Sequence, residues 1–342
     1  MLITVSVVRV GIWSESDADA LRTLALDPWS STALEATEFR ARNWLGPLLA
    51  WSTRLTSPVA YFTLHLFIAG LTTFVWVAVI RREVREVDRV AVLLALAGVP
   101  GLALPFFWVG NDAITLLLLA AVVATRRQPL WTGLTGLLLG LNHFEHGLVA
   151  LSVLALWYLL GGRGRLQRMI PVATSIFGLV MGRLIQEAAF RRIGVGPIES
   201  RLDINLFGRT DFTSIKSVAF LFPIFVWSVL GLGTVILLTA SPLRLRLSIC
   251  LGVVALPSIM AFDQTRVFAI TAMPLIVVAL LESAETVALW VRRYMRAFVA
   301  LLVVAPWLWL NSWKISGSVM PYTILWAVDR LLPGFELSTL PR

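Results

Sequence analysis

The sequence has little of what a water-soluble protein needs on its surface. Charged residues make up only 14% of its 342 positions, whereas hydrophobic residues make up 58%, and the mean hydropathy is +0.83. A soluble domain must cover itself with charged and polar side chains, so this composition predicts that lipid is the main solvent. Lysine is also scarce: Lys216 and Lys314 are the only two, and the net charge of +9 comes almost wholly from arginine.

Cysteine is nearly absent too. The single one, Cys250, lies within an apolar run, which excludes an intrachain disulfide and favours a small buried side chain. The basic net charge does not indicate nucleic acid, because the arginines lie in short loops between apolar runs. There they suit membrane topology and anionic lipid headgroups, so we expect the bilayer, and no nucleic acid, as a partner.

The apolar runs are long and continuous rather than alternating, which predicts α-helices. We expect an all-α, polytopic transmembrane bundle of about eleven spans, forming one domain over residues 1–342. Two of the segments reach only roughly 21 Å, short of a ~30 Å hydrocarbon core, and are expected to be tilted or packed inside the bundle. The candidate spans cover residues 2–13, 57–80, 90–109, 112–125, 128–141, 147–161, 169–187, 217–240, 247–262, 267–282 and 297–313.

Arginine-rich loops predict the orientation of this bundle. They lie near residues 81–89, 126–127, 163–168, 244–246 and 292–296, and alternating spans place all of them on one side. The positive-inside rule makes that side cytoplasmic, with a cytoplasmic amino terminus and an extracytoplasmic active face in the plasma membrane. Most acidic residues then lie outside, which agrees with this orientation.

Three longer segments are expected outside: residues 14–56, 188–216 and the irregular tail 314–342. Within the first, residues 37–55 have the pattern of an amphipathic helix on the membrane surface, kinked at Gly46-Pro47. The side chains expected to face lipid are Trp44, Leu45, Leu48, Leu49 and Trp51. Those expected to face headgroups are Arg40, Arg42 and Arg54.

Five short polar clusters fall on the external side, at the ends of separate spans. Charges there are costly unless they meet water, a partner or a ligand, so their convergence predicts a polar cavity that opens outward. The clusters are Asp17 and Asp19; Asn111 and Asp112; Asn142, His143, Glu145 and His146; the stretch from Arg201 to Asp211, with Arg209; and Asp263 with Arg266.

Each cluster has a purely structural alternative. Asp17, Asp19, Asn111 and Asp112 are typical helix-capping residues, and the turn at 142–146 needs polar residues in any case. Asp263 and Arg266 are three residues apart and can pair with each other. His143, His146 and Glu145 have ligand chemistry, but the spacing provides no third strong ligand group. We therefore assign no metal site and no certain cofactor, while dependence on a divalent metal stays open.

The order of these clusters resembles the polytopic glycosyltransferases of the C-type fold. Gly110-Asn111-Asp112-Ala113 before a leucine-rich run is similar to the small polar turn that opens a short span in that class. Residues 140–148 resemble the turn between two short spans, with His143 near its basic position, Phe144 in place of proline, and Glu145 as its acid. Residues 263–268, followed by Met273-Pro274, are similar to its late acid, arginine and aromatic segment.

The resemblance implies transfer of a sugar from a polyprenyl-phosphate donor to an extracytoplasmic glycan, lipid or protein acceptor. The class has its catalytic carboxylate in the first external loop, where this sequence has Asp17 and Asp19, separated by Ala18. A carboxylate can activate an acceptor hydroxyl, and arginine can bind the leaving phosphate through two hydrogen bonds. The candidates for the phosphate are Arg201 and Arg266, then Arg209 and His143. Asn111, Asp112, Glu145, His146 and Asp263 are expected to line the cavity.

Two other functions stay open at this point. A polysaccharide polymerase or ligase also has many spans and external arginines, and would use a lipid-pyrophosphate glycan. A transporter or flippase of lipid-linked glycans is the non-enzymatic alternative. Its substrate path needs polar groups near mid-membrane, where this sequence has few, with Arg183 the clearest.

Overall fold

The computed structural model describes residues 2–12, 14, 18–161, 165–196, 198, 215–261, 263–304, 307–311 and 314–319. Nearly all of these residues are helical, which confirms the helical fold class. In chain order the helices are α1 (Leu2–Val10), α2 (Ala18–Leu26), α3 (Ser31–Thr37), α4 (Leu45–Ser52), α5 (Pro58–Glu83), α6 (Glu86–Ala97), α7 (Pro100–Phe107), α8 (Asn111–Ala124), α9 (Pro129–Asn142), α10 (Phe144–Leu159), α11 (Arg165–Ile193), α12 (Ile215–Ala240), α13 (Arg244–Met260), α14 (Gln264–Glu282), α15 (Ala284–Arg293) and α16 (Met295–Val304). A 3-10 turn at Glu38–Arg42 follows α3.

Three helices in the described part of the chain are long and apolar enough to cross a membrane: α5, α11 and α14. A fourth crossing arises if α6 and α7, bent by 57° at a short break, are counted together. Helices α8 and α10 and residues 225–240 of α12 are apolar but shorter. These helices are compatible with a membrane protein, but they do not confirm eleven crossings.

The predicted spans and the helices agree within a few residues over most of the chain, but they differ at its end. Helix α16 stops at Val304, and an antiparallel hairpin of β1 (Trp307–Asn311) and β2 (Lys314–Val319) follows. The expectation of a helical span over 297–313 is therefore wrong in its second half. The tryptophans of the Trp-Leu-Trp-Leu run in β1 suit a strand, because aromatic residues are enriched there.

Contacts within the chain divide it into two units. Unit 1 comprises described residues within 1–12, 77–107 and 210–342, and unit 2 comprises those within 13–76 and 108–209. In unit 1, α14 packs against α7, α12 and α13, and most of its length is buried. Helix α12 bends at Gly231, whose φ of 59° suits glycine because a Cβ is strained there.

A cluster of charged side chains joins α6 to α15 within unit 1. Asp88 is 1% exposed and accepts hydrogen bonds from Arg85 at 2.8 Å and from Arg292 at 2.9 Å. Arg85 also pairs with Glu285 at 3.2 Å. The carboxylate of Asp88 lies in the first turn of α6, where the helix dipole favours a negative charge.

The centre of unit 2 is the close contact between α9 and α11. Gly136 approaches the backbone of Ser175, and Gly178 approaches the backbone of Gly133, so closely that a Cβ at either glycine would overlap it. Small residues let two helix backbones touch in this way, as is common where membrane helices pack. Helix α8 packs against α9, and α10 packs against α11.

The first loop of unit 2 differs from the expected surface helix. A 3-10 turn at Glu38–Arg42 and the separate helix α4 replace one helix over residues 37–55. Trp44, expected to face lipid, is 3% exposed and packs with Leu24, Leu34 and Phe190. Its indole N–H donates to the carbonyl of Pro28 at 3.0 Å. The loop packs this aromatic ring inward, so it shares a small core with the end of α11.

Candidate functional site

Of the two carboxylates predicted to be catalytic, only Asp19 lies within the described residues; Asp17 lies outside them. Asp19 is in the first turn of α2, and its side chain is 91% exposed. The Nε of Arg22 lies 3.4 Å from its Oδ1. A carboxylate in the first turn is stabilised by the helix dipole, so its capping role agrees with the structural alternative. Its exposure also leaves it accessible to a substrate.

A small cavity of about 90 Å³ lies against Asp19 and Arg22. Its wall is formed by the first turns of α5 and by two residues, Ser14 and Val109, that pair as an isolated parallel bridge. The volume has room for a few water molecules or for one polar group of a ligand. The remaining lining residues are Ala18, Pro58, Tyr61, Phe62 and His65.

His65 is the polar group of this wall that the sequence did not suggest. It is completely buried, and its Nδ1 lies 2.9 Å from the carbonyl oxygen of Tyr61 one turn earlier. Because a carbonyl oxygen only accepts, Nδ1 carries the hydrogen and Nε2 is left as an acceptor. The side chain of Asn111 interacts with His65, which connects the cavity to the start of α8.

Asn111 begins a row of buried polar side chains, formed by His65, Asn111, Thr115 and Asn142, which we call the polar row. The Nδ2 of Asn142 donates to the Oγ1 of Thr115 at 2.9 Å and lies 3.5 Å from the carbonyl oxygen of Asn111. Gly46 packs so closely on Asn111 that a Cβ there would overlap its Oδ1. Asp112, the next residue, is fully buried.

The polar row ends where the predicted turn at residues 142–146 begins. The rings of His143 and His146 are stacked, with centroids 3.6 Å apart and planes 13° apart, and both side chains are buried. The Nδ1 of His143 lies 3.7 Å from the carboxylate of Glu145.

Glu145 also pairs with an arginine that we had expected to face headgroups. The Nη1 of Arg42 lies 3.3 Å from Glu145, Nη2 binds the carbonyl of Ile198, and the Arg42 side chain is only 14% exposed. The amide of Gln186 donates to the carbonyl of Arg42 at 2.9 Å. Burial lowers the pKa of Arg42, and the charge of Arg183 lowers it further, whereas Glu145 raises it.

A sequence signal for part of this network did exist. Gln186 is an amide within the long helix α11, and a polar group in a membrane helix usually has a specific partner. Arg42 gave no such signal, because its position fitted an amphipathic surface pattern.

The last predicted cluster lies in unit 1. Asp263 is the N-cap of α14 and accepts from the backbone N–H of Arg266 at 3.4 Å. The Nη1 of Arg266 is 4.0 Å from the carboxylate of Asp263, and the Arg266 side chain is 9% exposed. The local pairing anticipated as an alternative is thus present. Arg201 and Arg209, predicted to bind phosphate, lie outside the described residues.

Within unit 2, the structure therefore brings Asn142 to Asn111 and His143 to Glu145 and His146, and the polar row leads from them toward the cavity beside Asp19. Asp112 is buried in the first turn of α8. Among the residues that the structure describes, no group of three or more His, Cys, Asp or Glu side chains has an arrangement that could hold a metal ion. No family model, no curated protein and no solved structure matches the chain.

Proposed function

We propose that this chain is a polytopic membrane glycosyltransferase of the C-type fold, which transfers a sugar from a polyprenyl-phosphate donor to an extracytoplasmic glycan, lipid or protein acceptor. The observation that carries the proposal is the exposed carboxylate of Asp19 beside the small cavity lined by Tyr61 and His65. This cavity belongs to a chain with helices long and apolar enough to cross a membrane, where a donor with a polyprenyl tail would reside.

In the proposed reaction Asp19 accepts the proton of the acceptor hydroxyl as that oxygen bonds to the anomeric carbon. The bond between this carbon and the donor phosphate oxygen breaks, and the phosphate leaves with the electron pair. Arg22 would hold the carboxylate in place, since its Nε is 3.4 Å from Asp19. The acceptor hydroxyl would enter the cavity, where the buried side chain of His65 offers a hydrogen-bonding partner.

The leaving phosphate needs a positive partner, for which Arg201, Arg266, Arg209 and His143 are the proposed candidates. A guanidinium is always charged, which favours the arginines over His143 as phosphate partners. About eleven spans, a plasma-membrane location, a cytoplasmic amino terminus and an outward-facing site complete the proposal.

The two alternatives differ in their products. A polysaccharide polymerase or ligase would release a polyprenyl pyrophosphate, whereas a transporter or flippase would move a glycan without making a covalent product. Helix α11 contains Arg183, whose Nε lies 2.9 Å from Glu187, and this ion pair is the feature that would suit a transport path.

The test begins with the product. Mass spectrometry of envelope glycans and lipid-linked sugars from a deletion strain identifies the sugar that is lost, and the same transfer is then measured in proteoliposomes. Asp19→Asn should abolish transfer while expression and thermal stability stay unchanged. Glu35→Gln is the matched control, because Glu35 is an exposed carboxylate on the next helix, and it should retain full activity. Unchanged transfer by Asp19→Asn would remove this carboxylate from the mechanism.

A further inference from the structure

Four aromatic rings lead from the core of unit 2 to its surface. Phe190 packs edge-on against Trp44 at 5.2 Å, Trp44 against Trp29 at 4.9 Å, and Trp29 against Trp51 at 6.4 Å. The first two rings are buried, whereas Trp29 and Trp51 are each 45% exposed. The inner rings thus hold the outer pair at the surface of the first loop.

Leu26, at the end of α2, adds a third exposed apolar side chain at 56%. Helix α2 packs against α4, which carries Trp51. We call Leu26, Trp29 and Trp51 the tryptophan patch. Exposed apolar area is unfavourable in water, so side chains of this size grouped at one surface indicate a contact.

The position of the patch indicates what that contact is. Trp51 lies on α4, which leads directly into α5, one of the helices suited to cross a membrane. Along α5 the strongly exposed side chains Val59, Phe67 and Phe74 recur at helical spacing, which is typical of a lipid-facing stripe. Arg54, between Trp51 and this stripe, is exposed as well.

We infer that the tryptophan patch inserts into the headgroup region of the bilayer at the beginning of α5 and anchors the first loop there. Tryptophan is enriched at this depth because its ring is apolar while its N–H can reach water or headgroups. An exposed arginine beside the rings complements lipid phosphates. The inference does not depend on the proposed enzymatic function. It assigns Trp29 and Leu26 to the lipid surface, where the sequence had led us to expect Trp44.

Site-directed spin labelling tests the inference in the whole protein in lipid vesicles. The native Cys250 is buried and should not react, which the unaltered protein verifies. Leu26→Cys, Trp29→Cys and Trp51→Cys are labelled one at a time, and collisions with oxygen, which concentrates in lipid, and with a water-soluble nickel chelate are measured. Phe67→Cys serves as the reference for lipid, and Glu35→Cys as the reference for water.

We expect all three patch labels to report a depth between the two references, with less nickel access and more oxygen access than at Glu35. Nickel access equal to that at Glu35 would overturn the inference, because the patch would then face water. Shielding from both reagents would also overturn it, in favour of coverage by a second copy or another protein. If the tryptophan variants fail to fold, Leu26→Cys decides, since Leu26 takes no part in the ring contacts.

Discussion

The two units hold their buried charges in different ways. In unit 1 Asp88 is enclosed by Arg85 and Arg292, whose side chains are themselves 62% and 37% exposed. In unit 2 Arg42 and Glu145 are 14% and 22% exposed, and their neighbours are imidazoles, amides and backbone carbonyls. Hydrogen bonds to Asp88 and Glu285 raise the pKa of Arg85, whereas burial lowers the pKa of Arg42.

This difference distinguishes a structural ion-pair cluster, at Asp88 in unit 1, from a candidate functional site, at Arg42 and Glu145 in unit 2. The arginines of unit 1 reach water, so they retain hydration if a partner is lost. The charged groups of unit 2 are less exposed, and their arrangement depends more on the backbone around them. Polar groups that are costly to bury and rigidly placed are typical of functional sites, so the network of unit 2 resembles such a site more than the cluster at Asp88 does.

The largest effect on stability is expected from a change in the backbone contact of α9 and α11, which positions the network of unit 2. Helix α9 ends at Asn142 and α11 carries Gln186, and a Cβ at Gly178 would overlap the carbonyl of Gly133 between these helices. We expect Gly178→Ala to cost about 3 kcal/mol or more, the upper end of overpacking penalties. The measurement is the thermal unfolding midpoint of the protein in nanodiscs.

Gly70→Ala is the matched control for Gly178→Ala. Gly70 also lies in a long apolar helix, α5, but nothing lies within 4 Å of a Cβ built there. Alanine should leave the Tm unchanged or raise it slightly, because it favours a helix by up to ~1 kcal/mol over glycine. Equal losses in both variants would show that the close contact of α9 and α11 does not determine stability.

Much of the helical architecture was predictable because it follows from local properties. Apolar length and capping residues predicted α5, α8 and α10 within a few residues of their observed ends. The pairing of Asp263 with Arg266 was predictable for the same reason, since three residues in a helix bring side chains together.

Contacts between distant segments were not predictable from local pattern. Arg42 and Glu145 are 103 residues apart, and Arg42 occupies a position that fits a surface helix equally well. Trp44 was misassigned for the same reason, since an amphipathic pattern does not reveal whether its apolar face meets lipid or protein. His65 was missed because a single histidine in an apolar helix gives no sign of the cavity beside it.

A second, smaller loss of stability should follow from removing the negative charge of Glu145 in unit 2. Glu145→Gln keeps the shape of the side chain but leaves the buried guanidinium of Arg42 without its carboxylate. We expect a loss of about 2 kcal/mol in the free energy of unfolding, less than the ~3–5 kcal/mol seen for fully buried pairs because Glu145 is partly exposed. If Arg42 and Glu145 are tightly coupled, Arg42→Gln combined with Glu145→Gln should recover part of this loss. Strictly additive losses would contradict the coupling.

The smallest effect is expected at Asp88, although it is the most deeply buried of these charges. Asp88→Asn keeps a hydrogen-bond acceptor, and Arg85 and Arg292 can both turn toward water because they are partly exposed already. We therefore expect a loss of only about 1 kcal/mol, and a similar loss for Arg85→Ala, because Arg292 still pairs with the buried carboxylate of Asp88. Thermal unfolding of both variants, measured together with Glu145→Gln, compares the stability lost in unit 1 with the stability lost in unit 2. A larger loss of stability for Asp88→Asn than for Glu145→Gln would reverse the comparison. The burial of the removed carboxylate would then determine the loss, and the exposure of the remaining arginines would not.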